Sequence, residues 1–409
     1  MSEIKSGVSV AAYRNPGAAQ PDASYSPMLD HVLNQDGFDQ AQREIGQWPG
    51  YAPTPLHGLP VLASDLGLGQ LFYKDESQRF ELKSFKALGG AYAVLRLLQH
   101  AIRAVMPDAV VGVSDILDGA YRDLIRQMTV TCATDGNHGR SVAWGARLFG
   151  CRCVIYVHAT VSEGRVRAIE AFGAEVIRLD GNYDDSVRHA QQQAEQNGWT
   201  VVSDTTYEGY RDIPIDVMHG YGVMAREVID QLGGQAPTHV IVQAGVGAFA
   251  AAVCAAFWQH WADRRPRFII VEPEQAACFF VSGQQGEPVA VTGELDTVMA
   301  GLACGEVSPV AWEVLQSGCN VFSTVGDAYA LDAMRRLANP GRGDPAIVSG
   351  ETGAAGLALL LAANQSPEIW SLLGLDNQSR VLILGSEGDT DAEIFEKVVG
   401  RTAREVLAS

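Results

Sequence analysis

The chain has 409 residues, 47% hydrophobic and 19% charged, the composition of an ordinary globular protein long enough for two domains or for one large α/β domain with an inserted smaller one. Its 48 acidic and 30 basic residues leave a formal net charge of −18, which argues against a nucleic-acid partner or an anionic membrane surface, because both need a basic face. No N-terminal stretch combines a basic start, an apolar centre and a small-residue cleavage site, so no secretory signal is expected.

In chain order, the first ~50 residues show little pattern; Asn15 to Ser26 are rich in Ala, Gly, Pro and Asp, and partial mobility is the expectation there. The strand-like run Leu71-Phe72-Tyr73-Lys74 then leads to Ser84-Phe85-Lys86-Ala87-Leu88-Gly89-Gly90, and the apolar run Leu88 to Leu98 is helix-compatible. Lys86 is therefore expected at a helix N-terminus facing a cleft. The positive helix end and partial burial would lower its pKa there, as an imine-forming amine requires. A solvated helix-start lysine is the alternative. Next, Thr134-Asp135-Gly136-Asn137-His138-Gly139 stands between the β-branched run Thr129-Val130-Thr131 and a helical pattern at Val142, Ala143, Gly145, Ala146 and Leu148. A strand-to-helix loop of this kind points backbone N–H groups at open space and suits a carboxylate or phosphate.

Further strands are read at Thr129 to Ala133, Cys153 to Val157, Glu175 to Leu179, Thr200 to Ser203, His239 to Val242, Phe268 to Glu272 and Val381 to Leu384, several of them rich in Val, Ile and Thr. Their alternation with helical patterns implies βαβ units in an α/β fold with a mostly parallel sheet, whose ligands bind at the carboxyl ends of the strands. One such end carries Gln243-Ala244-Gly245-Val246-Gly247-Ala248-Phe249-Ala250, small enough for the backbone to approach a phosphate closely. The same loop reads as GxGxxA, with Glu272 ending the next strand where a ribose-binding acid of a dinucleotide fold would stand. That rival uses neither Lys86 nor the Asn137 loop. Val240 to Trp258 is free of charge and near membrane-spanning length, but Gln243, two glycines and a run of alanines fit a buried strand, a loop and a core helix instead. The seven cysteines are odd in number and lack metal-ligand spacing, so no metal is expected. In Cys151-Arg152-Cys153 alternation puts both thiols on one face, where apolar packing is preferred over a metal pair.

Eight motifs in this order carry a resemblance. They are Asp135-Gly136-Asn137-His138-Gly139-Arg140, Asp204-Thr205, Glu208-Gly209-Tyr210, Ile213-Pro214, Gln243-Ala244-Gly245-Val246-Gly247, Met299-Ala300-Gly301-Leu302-Ala303-Cys304-Gly305-Glu306, Ser349-Gly350-Glu351 and Glu387-Gly388-Asp389-Thr390. With Lys86, the chain resembles the fold-type II pyridoxal-phosphate enzymes of the threonine dehydratase and tryptophan synthase β group. More narrowly it resembles the diaminopropionate ammonia-lyases, from about Phe72 to Asp391.

The resemblance implies two domains, each with a mostly parallel sheet flanked by helices. The large one would comprise residues 1–88 and 222–409 and the small one 89–221, with pyridoxal 5'-phosphate in the cleft between them. It implies that Lys86 holds the cofactor as an imine and that Asn137 bonds its ring hydroxyl. Gly245, Val246, Gly247 and Ala248 would take the phosphate, and Ser386, ahead of Thr390, would face the pyridine nitrogen. A neutral hydroxyl there weakens the electron sink, which suits elimination. Thr134, Gly136 and His138 fall near the substrate carboxylate. For His138 a structural loop role is the alternative, and for Ser386 a helix cap. Cys278 and Cys304 would approach each other, with a redox-sensitive disulfide as a guess.

Asp135 and Asp204 discriminate within the group, since threonine dehydratases typically carry a small uncharged residue where Asp135 stands. A carboxylate buried beside a carboxylate-binding loop is costly unless it meets a cation or exchanges a proton. A β-ammonium group on the substrate supplies the cation, and a general-base role supplies the exchange; a turn or structural aspartate is the alternative at each position. The expected activity is elimination of 2,3-diaminopropionate to pyruvate and two ammonia, with Lys86, Asp135 and Asp204 as catalytic residues. Lys86 and Asp135, on opposite faces, would serve opposite stereoisomers. The runner-up is a serine or threonine dehydratase, and a dinucleotide-binding oxidoreductase or sensor comes third. A cytoplasmic homodimer acting on a small amino acid, without nucleic-acid or membrane partner, completes the expectation.

Overall fold

The computed structural model describes residues 3–5, 9–80, 82–134, 136–181 and 183–408. Its strands are β1 (Glu3–Lys5), β2 (Val10–Arg14), β3 (Leu56–Gly58), β4 (Gln70–Asp75), β5 (Thr129–Ala133), β6 (Arg152–Val157), β7 (Glu175–Arg178), β8 (Thr200–Val201), β9 (His239–Gln243), β10 (Arg267–Pro273), β11 (Val321–Val325) and β12 (Arg380–Gly385). The chain divides into two units. The larger is made of Met1–Gln35, Pro53–Arg79 and Met224–Ser409, and the smaller of Asp36–Ala52 and Phe80–Val223.

The larger unit holds an eight-stranded sheet in the order β1-β2-β11-β10-β9-β12-β4-β3. Its five inner strands, β11 to β4 in that order, are parallel; β1, β2 and β3 join antiparallel at the two edges. β9 and β11 are buried along their whole length, because helices cover both faces of the parallel block; β9 accordingly reads as an apolar run, whereas β11, which carries Ser323 and Thr324, was not among the strands expected. Helix Ala355–Ala363 is buried at every position and accordingly apolar all round. Helix Ala248–Trp261 is nearly so, which accounts for the charge-free run starting at Val240. Among the described residues no helix is long and apolar enough to cross a membrane.

The N-terminal expectation needs correction. β2 is a sheet strand with Val10, Ala11 and Ala12 buried, paired with β11 from Val10↔Val325 to Arg14↔Val321. The Ala/Gly/Pro/Asp-rich stretch after it is tied down by polar side chains. Asn15 Nδ2 donates to the Gln316 and Cys319 carbonyls at 2.9 and 2.7 Å, Arg265 Nη2 to the Ala19 carbonyl at 2.7 Å and Trp258 Nε1 to the Ala23 carbonyl at 2.7 Å. Composition did not reveal this because the partners lie far away in sequence.

The smaller unit has a four-stranded parallel sheet, β7-β6-β5-β8. Segment Asp36–Ala52 joins it through an aromatic cluster in which Trp48 stands 6.0 Å from Phe80 and 5.7 Å from both Trp144 and Phe149, ring centre to ring centre. Helices Lys86–Val105 and Asn137–Phe149 pack closely against each other. Small residues permit this: a Cβ on Gly90 would overlap Ser141 Oγ, and one on Gly145 would stand 2.7 Å from Ala91 Cα. The two helices that touch here begin at Lys86 and at Asn137, so their packing also fixes two site residues.

β8 is shorter than the expected Thr200 to Ser203. Val202 N still donates to the Thr131 carbonyl at 2.8 Å, but the Val202 carbonyl is taken by His138 and Ser203 N by Tyr210. Side chains replace the ladder.

Gly145→Ala should lower the unfolding free energy by about 1–3 kcal/mol, the usual cost of overpacking a rigid contact, because its neighbour is backbone and cannot swing away. Urea titration followed by circular dichroism measures it, and an unchanged midpoint would show that the two helices have room to spare.

Candidate active site

Lys86 opens its helix, as its sequence position predicts. Its ammonium lies 5.5 Å from the Phe85 ring centre and 5.9 Å from that of the buried Tyr221, and it donates to Asp204 Oδ2. Gly89 leaves space for Tyr221, since a Cβ there would overlap its ring. Asp204 follows the end of β8 in the same unit. Burial by itself raises its pKa. The Lys86 ammonium, His138 and the hydrogen bonds it accepts outweigh that and hold the carboxyl well below the usual carboxylate range. The expectation for Lys86, built on the helix end and burial, did not include this carboxylate.

His138 Nε2 lies 2.8 Å from the Val202 carbonyl, which can only accept, so this nitrogen carries the hydrogen. Its other nitrogen, Nδ1, has no hydrogen-bond partner among the described residues and faces Asp204 Oδ2 at 3.7 Å. Thr134 Oγ1 accepts from Gly136 N at 3.0 Å and Gly139 N at 3.1 Å, which satisfies two donors at the start of the helix that Asn137 opens. Arg140 Nη1 donates to Asn137 Oδ1 at 3.5 Å. Asp135 lies outside the described residues. Lys86 and His138 thus both face the Asp204 carboxylate, with Thr134, Gly136 and Asn137 on the adjoining loop and helix start.

The larger unit holds a group of its own. β9 ends at Gln243, and Ala244-Gly245-Val246-Gly247 leads into helix Ala248–Trp261. Gly247, at φ +95, adopts the left-handed backbone that favours glycine, and a Cβ there would overlap the Phe279 ring. No side chain caps this helix, and a helix start is where backbone N–H groups suit an anion. On the neighbouring strand end, Ser386 is buried and accepts from Gln243 Nε2 at 2.8 Å, which leaves its own O–H to donate. Thr390 Oγ1 instead donates to Glu387 Oε2 at 3.2 Å. An uncapped, glycine-shaped helix start and a buried hydroxyl on a neighbouring strand match the two ends of pyridoxal phosphate, its phosphate and its pyridine nitrogen, so the residues present fit the cofactor.

Glu272 is not available to a ribose. Its carboxylate is buried and accepts from Phe279 N at 2.8 Å and Phe280 N at 2.7 Å at the start of helix Cys278–Gln285. Burial pushes its pKa up to about 8 against the pull of these donors. The dinucleotide reading loses its acid on this ground. Cys278 and Cys304 both lie near Gly245 and neither is in a disulfide: Cys278 Sγ stands 3.7 Å from the Gly245 carbonyl oxygen, and Cys304 Sγ would be 3.0 Å from a Cβ added to Gly245. Among the described residues no cluster of His, Cys, Asp and Glu is placed to hold a metal ion.

Comparison with known proteins agrees with this chemistry. Residues 47–372 match the family described as pyridoxal-phosphate dependent enzymes. The diaminopropionate ammonia-lyase of Escherichia coli is 42% identical over 372 residues, covering 88% of this chain and 92% of that protein. The Salmonella typhimurium diaminopropionate ammonia-lyase is 40% identical over 366 residues, covering 87% and 90%. A crystal structure of the Escherichia coli enzyme, in complex with an aminoacrylate-PLP azomethine reaction intermediate, superposes with a TM-score of 0.85 at 39% identity, covering 96% of this chain and 97% of that one. The chain belongs to the pyridoxal-phosphate dependent enzymes of fold type II and, within them, to the diaminopropionate ammonia-lyases. Pyridoxal phosphate is its cofactor.

Sequence reasoning missed Tyr221, which packs against Lys86 and Phe85, because a tyrosine inside a helical pattern carries no mark of its neighbours. It also gave Gln243 no role, although its place one residue before the glycine loop was a usable signal. Gly247→Ala should weaken pyridoxal phosphate binding to the apoprotein by about 10-fold or more, which is about 1.4 kcal/mol. Pyridoxal, which lacks the phosphate, should bind much as before. Titrations followed by cofactor absorbance test this, and equal losses for both compounds would remove Gly247 from the phosphate site.

Proposed function

We propose that this chain catalyses the α,β-elimination of 2,3-diaminopropionate, releasing pyruvate and two molecules of ammonia. The observation that carries the reading is the Asp204 carboxylate held beside Lys86 and facing His138. A site with a permanent negative charge next to its amine suits a substrate that brings a second ammonium group. A serine or threonine dehydratase expels a neutral hydroxyl group and has no use for that charge.

Bound pyridoxal phosphate supplies the electron sink that makes the substrate's α-proton acidic. The residues assigned to it are Lys86, Asn137, Gly245, Val246, Gly247, Ala248 and Ser386. Thr134, Gly136 and His138 belong to the substrate-carboxylate side, where loop N–H groups receive an anion. Lys86 takes the α-proton of the L-isomer and Asp135 that of the D-isomer. Asp204 pairs with the β-ammonium, which leaves as ammonia once the α-proton is gone. The 2-aminoacrylate that departs is hydrolysed by water to pyruvate and the second ammonia. We place the enzyme in the cytoplasm as a homodimer, with the larger unit in the large-domain role and the smaller unit, which takes in Asp36–Ala52 and begins its main segment at Phe80 where residue 89 was expected, in the small-domain role.

Two experiments test the assignments. Lys86→Ala should abolish the borohydride-reducible link between cofactor and chain while leaving the circular dichroism spectrum intact; a persistent link would place the lysine elsewhere. Asp135→Asn should cost on the order of 10²–10⁴-fold in turnover of D-2,3-diaminopropionate, the usual effect of removing a general base, and much less for the L-isomer. Ammonia release from each isomer is the assay. Equal losses in kcat for both would sink the two-base assignment, and full activity toward both would remove Asp135 from the mechanism.

A further inference from the structure

The Glu208-Gly209-Tyr210 motif has no part in the assignments above, yet it closes onto the chain just before Asp204. Tyr207 N donates to the Tyr210 carbonyl at 3.3 Å and Tyr210 N to the Tyr207 carbonyl at 2.9 Å, which makes a tight turn around Gly209 at φ +78. The two tyrosine rings stack, with centres 4.7 Å apart and planes 10° from parallel. This turn aims the Tyr210 hydroxyl at the end of β8, where it accepts from Ser203 N at 2.9 Å and donates to the Val201 carbonyl at 2.9 Å. Burial raises the Tyr210 pKa, so the hydroxyl keeps the proton that the second bond requires. Between these two contacts, the Val202 carbonyl is held by His138 Nε2 at 2.8 Å.

Val201, Val202 and Ser203 are therefore all gripped by side chains at the point where the strand ladder stops, immediately before the residue whose carboxylate meets Lys86. Without such contacts each of these residues would regain the freedom of two soft backbone dihedrals. A displacement of about 1 Å in a group that must meet a reacting atom costs on the order of 10²-fold in rate.

We infer that Tyr210 is a positioning residue, whose hydroxyl bridges Val201 and Ser203 so that the Asp204 carboxylate is presented to Lys86 and to the cationic arm of the substrate. The inference rests on the proposed role of Asp204, and the experiment separates the two. Tyr210→Phe keeps the ring and its stack and removes only the bridging hydroxyl. In the holoenzyme it should lower kcat for 2,3-diaminopropionate by about 10- to 100-fold, with a smaller change in KM and a melting temperature lowered by no more than about 4 °C. In an Asp204→Asn background the same substitution should cost less than about 3-fold, because the group it positions is already gone. Tyr207→Phe, which leaves both bridging bonds in place, should behave as the parent.

A second readout does not depend on turnover. The rate at which the apoprotein captures pyridoxal phosphate on Lys86 is followed by absorbance across pH. Asp204→Asn and Tyr210→Phe should displace this pH profile in the same direction, and the double variant should displace it no further than Asp204→Asn alone. Equal kcat losses from Tyr210→Phe in the two backgrounds, or a capture profile matching the parent, would overturn the inference. Full activity and an unshifted profile in Asp204→Asn would instead overturn the role of Asp204 itself.

Discussion

Arg79 closes one segment of the larger unit, and Glu227 lies just beyond Met224, where the chain returns to it. The Arg79 guanidinium grips the Glu227 carboxylate through Nη1–Oε1 at 2.8 Å and Nη2–Oε2 at 2.7 Å, and also holds Glu76 through Nε and Nη2 at 2.8 and 2.9 Å. Lys74 Nζ adds bonds to Glu227 Oε2 and to the Thr54 carbonyl, both at 2.7 Å. All four charged side chains are buried. Burial works against the ionised form of Glu227, but Arg79 and Lys74 keep its pKa below the ordinary value. Ions removed from water in this way add little stability as a complete set, whereas deleting one partner typically costs about 3–5 kcal/mol because its mate is left unpaired. The network is therefore a constraint more than a glue. It ties together the point where the chain leaves the larger unit and the point where it comes back, and Lys86 is reached shortly after the first of these.

The same economy of placement appears inside each unit. In the smaller one, Lys86 and Asn137 begin two helices whose backbones approach closely only because Gly90, Ala91 and Gly145 are small. In the larger one, Gly247 lets a helix start stay open where any side chain would meet Phe279. Neither arrangement can be loosened locally, since interiors packed at crystal-like density transmit strain to their neighbours. The groups assigned to the chemistry sit at helix starts and strand ends, and the rigid elements behind them set their positions.

How much of this is legible in the sequence differs between elements. Most inner parallel strands are clear: Thr129 to Ala133 coincides with β5, and His239 to Val242 falls one residue short of β9, because these strands are rich in β-branched and apolar residues, while β11, interrupted by Ser323 and Thr324, was not read. β2, at the antiparallel edge, was not read. Val10-Ala11-Ala12-Tyr13-Arg14 is short and alanine-containing, and only pairing with the distant β11 makes it a strand. In the site, the loops and Lys86 stood out because glycine and helix-start positions carry a local signature. The partners of those residues did not. That Asp204 meets Lys86, that Gln243 holds Ser386 and that Tyr210 grips the end of β8 are long-range facts, decided by topology. Glu272 shows the opposite error: a fingerprint position read as ligand-facing is occupied by backbone donors of the helix that follows.

Charge pairing links the fold to the proposed reaction. The Asp204 carboxylate is ionised because Lys86 is a cation beside it, with His138 Nδ1 as the next polar neighbour at 3.7 Å. Under the proposed assignment the Lys86 nitrogen would be taken up in holding the cofactor, and a partly buried carboxylate that lost its cation would be costly. A substrate carrying a β-ammonium restores the pairing at the same oxygen, and a substrate with a β-hydroxyl does not. Specificity would then come from the carboxylate's need for a cation more than from the shape of the cleft, since a site built to pair a charged group rejects an analogue lacking it more strongly than an apolar pocket rejects a misfit. On this view the carboxylate that steadies the resting lysine is the same group that selects the diamine.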